Sequence, residues 1–213
     1  MSLIAKSNGG SSMSPIEAGT HPAVCYGLID IGEQLNQKYN KLARKCIVMF
    51  ELPGETYTDQ NGAEMPRTIT MTYTMSLHEK SALYRDLISW RGKPFTEDEL
   101  RGFNLTNIVG APCLLSIVHN ERNGNTYADV NGIMKLPKGF GAVSTTRDKI
   151  IFDLDDDPLE KMAILPEWIQ NRIRDSETYK ERTAGAGNVA NEADYSEAQA
   201  EFTELDDDEK LPF

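Results

Sequence analysis

Every second residue of Arg67–Met75 is a threonine, so that Thr68, Thr70, Thr72 and Thr74 alternate with Ile69, Met71, Tyr73 and Met75. A period of two is that of a pleated strand, which lays an apolar face on a core and turns a polar face outward. Lys45–Leu52 repeats the pattern, with Cys46, Val48, Phe50 and Leu52 against Lys45, Ile47, Met49 and Glu51. Val24–Glu33, Cys113–Asn120 and Thr126–Leu136 are equally short, rich in β-branched and aromatic residues, and bounded by turn formers; together these make five predicted strands. Asn123-Gly124 between the last two predicts a tight hairpin, because both central residues of a type I′ turn need positive φ. Between the third and fourth strands, Ser76–Arg91 carries Leu77, Leu83, Leu87, Ile88 and Trp90 at roughly helical spacing, with Gly92 placed to cap the end.

Three strands, a helix and two more strands predict a mainly β fold, a five-stranded OB-fold barrel with a helix between strands 3 and 4. A barrel or sandwich of unrelated topology gives the same string. The barrel is expected over 23–150. Residues 1–22, rich in Ser, Gly and Pro, are expected to be a flexible leader, and 151–182 a helical extension broken at Pro166. Residues 183–213 hold too little apolar surface to offset their conformational entropy, and a disordered acidic tail is expected there.

The formal net charge of −11 argues against a nucleic-acid binder until its distribution is examined. Residues 183–213 carry a net of −8 and 148–160 a net of −5, which leaves 1–147 and 161–182 at +1 each. The body is close to neutral and can carry a basic surface. No apolar run is long enough to span a membrane, and Met1–Pro15 lacks the order of a signal peptide. Cys25, Cys46 and Cys113 form no CxxC pair, so a reduced, cytoplasmic protein without disulfides, metal or cofactor is expected.

Single strands are bound without sequence choice by phosphate neutralisation and by stacking of bases on aromatic rings. The connection between strands 1 and 2, Gln34–Arg44, supplies both with Lys38, Tyr39, Lys41 and Arg44, and Lys45 follows. Arg122 and Tyr127 flank the last hairpin, while Lys135, Lys138, Phe140 and Arg147 come after it. Tyr57 and Arg67 complete the candidate DNA-binding set. In an OB-fold these pieces converge on one groove; in any other fold most are solvated loop residues.

The chain ends Leu205-Asp206-Asp207-Asp208-Glu209-Lys210-Leu211-Pro212-Phe213. This acidic run followed by an apolar residue, Pro and Phe resembles the C-terminal tip of bacterial single-stranded DNA-binding proteins, which implies docking to replication and repair proteins through Asp206, Asp207, Asp208, Leu211, Pro212 and Phe213. Glu209-Lys210 intervenes before the last three residues, and Leu211 stands where that tip commonly has Ile. The stretches His21–Gly27, Ser76–Leu83, Trp90–Thr96 and Gly110–Leu114 resemble a family of small bacteriophage and mobile-element single-stranded DNA-binding replication proteins. That resemblance covers about 21–138 and the tip, and it implies no catalytic residues.

Enzymatic readings have less to rest on. Asp153, Asp155, Asp156 and Asp157 have the chemistry to hold Mg²⁺ in a nuclease, but contiguous aspartates before a Pro also suit a solvated turn. His21, His78 and His119 lie on three separate elements, and Gly139-Phe140-Gly141 lacks the GK[ST] of a phosphate loop. The expectation is a non-enzymatic protein that coats and protects single-stranded DNA in replication or recombination and recruits partners by its tip, with homo-oligomerisation left open. A non-catalytic adaptor on the same barrel and a metal-dependent nuclease are the alternatives.

Overall fold

The computed structural model describes residues 14–36 and 40–184. The fold is mainly β, with six strands in one sheet: β1 (Gly19–Asn36), β2 (Lys41–Thr58), β3 (Glu64–Thr74), β4 (Pro112–Arg122), β5 (Asn125–Met134) and β6 (Ile150–Phe152). Their order is β3-β2-β1-β4-β5. β4 runs antiparallel along Gly19–Val24 of β1, and β6 pairs parallel with Gly27–Ile29. β3 and β5 lie at the two ends of the order, with no pairing between them among the described residues.

The helix follows from local chemistry. The Ser81 side chain caps α1 (Ala82–Arg91) by accepting from the Tyr84 N–H, and Gly92 closes it in the left-handed region at φ 67°. The expected start at Ser76 is six residues early, because Ser81 Oγ also donates to the Ser76 carbonyl and holds 76–81 as a turn. α2 (Glu97–Arg101) opens on a Thr96/Glu99 capping box. The hairpin is tight as expected, with φ of 53° at Asn123 and 76° at Gly124.

The chain divides into two compact units. The first takes 14–29 and Cys46–Phe152. Its core gathers Ala23, Cys25, Val48, Phe50, Leu52, Tyr73, Leu87, Trp90, Leu115, Ile117 and Ile133. Ile16 belongs to that core and β1 already starts at Gly19, so the expected leader over 1–22 is too long by its last residues: burying Ile16 offsets the ordering of the segment around it. The open face expected for Lys45–Leu52 is also corrected. Ile47, Met49 and Glu51 are as buried as Cys46, Val48, Phe50 and Leu52, and a Cβ on Gly27 would meet Met49 Sδ at 2.8 Å. β3 keeps its alternation, with Thr68, Thr72 and Thr74 exposed and Ile69 and Met71 packed on the core.

The second unit combines Asp30–Lys45 with 153–184, so the expected boundary at 150/151 does not separate the helical extension from the strands it packs with. A 3-10 turn (Leu159–Ile164), α3 (Glu167–Arg174) and a helical stretch over 177–184 follow one another. The Glu33 N–H donates to Thr178 Oγ1 at 2.9 Å, and Gln34 Nε2 donates to the Arg172 carbonyl at 2.9 Å. Gly32 has φ 68°, and a Cβ there would stand 2.7 Å from Leu154 Cδ2 and 2.8 Å from Ser176 Oγ. The expected disordered tail lies outside the described residues apart from 183 and 184, which continue the helix.

Candidate nucleic-acid interface

The register of β4 and β5 pairs Asn120 with Tyr127, Val118 with Asp129 and Arg122 with Asn125, which sets these side chains on one face while Leu115 and Ile117 turn to the core. On that face the Arg122 guanidinium lies 5.7 Å from the Tyr127 ring centroid and ion-pairs with Asp129. Asn120 Nδ2 donates to Asp129 Oδ2 at 2.8 Å. Tyr127 is 44% exposed. Beside it, a polar trough of about 390 Å³ runs between Thr70, Met71 and Thr72 of β3 and Val118, Asn120, Asp129 and Asn131. The arrangement can stack a planar ring on Tyr127 and exchange hydrogen bonds with hydroxyls and amides. Asp129 neutralises Arg122 and repels phosphate, so what this face could offer a strand is stacking and polar contacts more than counterion release.

The other expected DNA-binding residues are dispersed. Lys38 and Tyr39 lie outside the described residues. Lys41 is exposed and Lys45 half-buried at the start of β2. Arg44 is held inside the second unit by Asp30 and by Asp155, the latter at 2.6 Å, and those two hydrogen bonds push its pKa further up. The connection expected over Gln34–Arg44 is taken up at both ends by strand, since β1 runs to Asn36 and β2 starts at Lys41. Tyr57 is half-buried near the end of β2, and Arg67 donates to the Ser14 carbonyl. Lys138 and Phe140 meet in a short bridge, with Phe140 49% exposed. Lys135 borders an apolar groove beside Trp90, Arg91 and Lys93. The tip residues Asp206, Asp207, Asp208, Leu211, Pro212 and Phe213 lie outside the described residues.

Arg147 has an internal partner. Its Nε stands 3.5 Å from Oε2 of Glu51, which is fully buried, and the guanidinium lies 5.6 Å from the Tyr26 ring. Glu51 also accepts from Thr145 Oγ1 at 3.0 Å and from the Thr146 N–H at 2.9 Å. These bonds draw 145–147 over the second face of β2. Alternation alone placed Glu51 on an open face, and nothing near it in sequence signals its partners.

The aspartate run is tied into ion pairs and turn bonds. The Asp153 N–H donates to Asp157 Oδ2, Asp155 pairs with Arg44, and Asp157 pairs with Lys161 at 2.8 Å. The Lys161 ammonium and then the Asp153 N–H hold Asp157 below the usual carboxylate range. Among the described residues no group of three or more His, Cys, Asp or Glu side chains could hold a metal ion, and no helix is long and apolar enough to cross a membrane. His21 pairs with Glu55, while His119 Nε2 bonds the Ile16 carbonyl at 2.7 Å. All three cysteines are buried free thiols. No family model matches the chain, and comparison with curated proteins finds no match.

Proposed function

We propose that this chain is a non-catalytic, sequence-nonspecific single-stranded DNA-binding protein of phage or mobile-element type, built on an OB-like barrel, which recruits replication or repair proteins through its acidic tip. The observation that carries the reading is the strand order β3-β2-β1-β4-β5 with α1 inserted between β3 and β4. A partly open five-stranded Greek-key barrel has this order, and such barrels take single strands on strands 2 and 3 and on the 4–5 loop. The outward threonine row of β3 and the Tyr127 hairpin occupy those two positions. The resemblance of 21–138 and of the tip to phage and bacterial single-stranded DNA-binding proteins points the same way.

The test is a titration of the full chain on single-stranded and duplex DNA at two salt concentrations. Stacking needs exposed base faces, so the single strand should bind more tightly. Equal affinity for both would remove the barrel-groove reading. Tyr127→Ala should weaken single-strand binding by roughly 1 to 2 kcal/mol if the ring stacks on a base; unchanged affinity assigns the ring to support of Arg122. The neutralised Arg122–Asp129 pair favours the adaptor as the second reading. Absence of single-strand binding together with tip-dependent capture of a protein would establish it.

A further inference from the structure

The polar trough beside Tyr127 has a lining with a single ionisable group. Thr70 and Thr72 contribute from β3, and Asn120, Asp129 and Asn131 from β4 and β5; no lysine or arginine stands among the lining residues. Charge there belongs to Asp129, whose side chain is 29% exposed. Asn120 Nδ2 and Arg122 Nη2 both donate to its Oδ2, which leaves Oδ1 without a hydrogen bond among the described residues. Asn131 is the extra residue of a bulge, since Ser116 faces Gly132 while Ile117 faces Val130, and bulges re-aim side chains beside binding sites. Tyr127 and Asp129 are two apart on one face of β5, about 7 Å along the strand. A base stacked on the ring therefore has its edge within reach of the carboxylate.

Such a lining repels phosphate and suits the edge of a base. The carboxylate disfavours the strand's backbone, so a single strand crossing Tyr127 turns its bases toward the trough, where unpaired Watson–Crick edges are open to hydrogen bonding. Oδ1 accepts a proton and donates none. Cytosine and adenine meet that demand, because each carries an exocyclic amine beside an unprotonated ring nitrogen, and a carboxylate pairs well with cytosine N4. The Asn120 and Asn131 amides and the Thr70 hydroxyl have the donors for the ring nitrogen. Thymine and uracil fit poorly. Their N3–H is flanked by two carbonyls, so bringing it to Oδ1 also sets an acceptor against the carboxylate. We infer that Asp129 makes the trough selective for single strands whose bases carry an exocyclic amine, cytosine or adenine over thymine or uracil. The inference rests on the single-strand reading and narrows it from any base to this class.

Fluorescence anisotropy of the full chain with oligomers of deoxycytidine and of deoxyuridine, equal in length, tests it above neutral pH, where cytosine N3 carries no proton. The two bases differ only at C4 and N3, so ring size and backbone are matched. The cytidine strand should bind roughly tenfold more tightly. Asp129→Asn should bring the two within about twofold, since an amide turns a donor or an acceptor to the base as required. Both strands should then gain affinity and a steeper salt dependence, because Arg122 is released from its counter-ion. An oligomer of N4,N4-dimethyldeoxycytidine keeps N3 and loses both amine protons, so the parent protein should bind it no better than the uridine strand. This arm needs no protein variant and stands if Asp129→Asn folds poorly. Equal affinity of the parent for cytidine and uridine strands, or a preference that survives either Asp129→Asn or dimethylation, overturns the inference and leaves the single-strand reading intact. Binding of neither strand removes that reading and the inference together.

Discussion

Replacing Arg147 by alanine is expected to lower the stability of the fold by about 2 kcal/mol, less than the roughly 3–5 kcal/mol that removal of one partner costs a fully buried ion pair. Glu51 is fully buried, and Arg147 is its cationic neighbour at 3.5 Å. Bonds from Thr145 and Thr146 remain, which limits the loss, as does the 32% exposure of the arginine side chain. Urea denaturation measures the change through its midpoint. Glu51→Gln in the Arg147→Ala background should recover part of it, because the amide leaves no buried charge without a counter-ion. A single variant as stable as the parent would mean that water already solvates Glu51. The same variant separates two roles for Arg147. A phosphate contact would lower the slope of log K against log salt by about one when lost, whereas an internal counter-ion leaves it unchanged.

Features governed by neighbours in sequence were legible. The alternation in β3, the Asn123-Gly124 turn and the Gly92 cap each depend on a few adjacent residues, and each is present. Features governed by distant segments were not. Alternation says which residues of β2 share a face; it does not say that 145–147 will cover the second one. The basic residues near Gln34–Arg44 read as one loop until Asp30 and Asp155 are seen on Arg44. The groove beside α1 draws its lining from Trp90–Lys93, Phe103–Ile108, Ala111–Pro112 and Lys135–Leu136, four stretches whose meeting depends on the path of the chain. In the candidate nucleic-acid face, the hairpin identified Arg122 and Tyr127, but Asp129 as the partner of Arg122 needed the cross-strand register.

Phe213→Ser is expected to weaken capture of a partner protein by roughly thirty-fold or more, which corresponds to about 2 kcal/mol for loss of one aromatic anchor. Changing Asp206, Asp207 and Asp208 together to Asn should act differently. Charges at the border of an interface govern mainly the rate of encounter, so that variant should associate more slowly and in a salt-dependent way while dissociating at nearly the parent rate. An acidic segment that merely keeps the protein in solution makes the opposite prediction. In that case Phe213→Ser changes nothing, because all four acids at 206–209 remain. Capture from host lysate on immobilised full chain, followed by dissociation rates for each captured protein, compares the three. Identical sets and rates for the parent and Phe213→Ser would refute docking through the ring. Selective loss with Phe213→Ser, while single-strand affinity stays the same, would separate the proposed recruiting tip from the proposed strand-binding face.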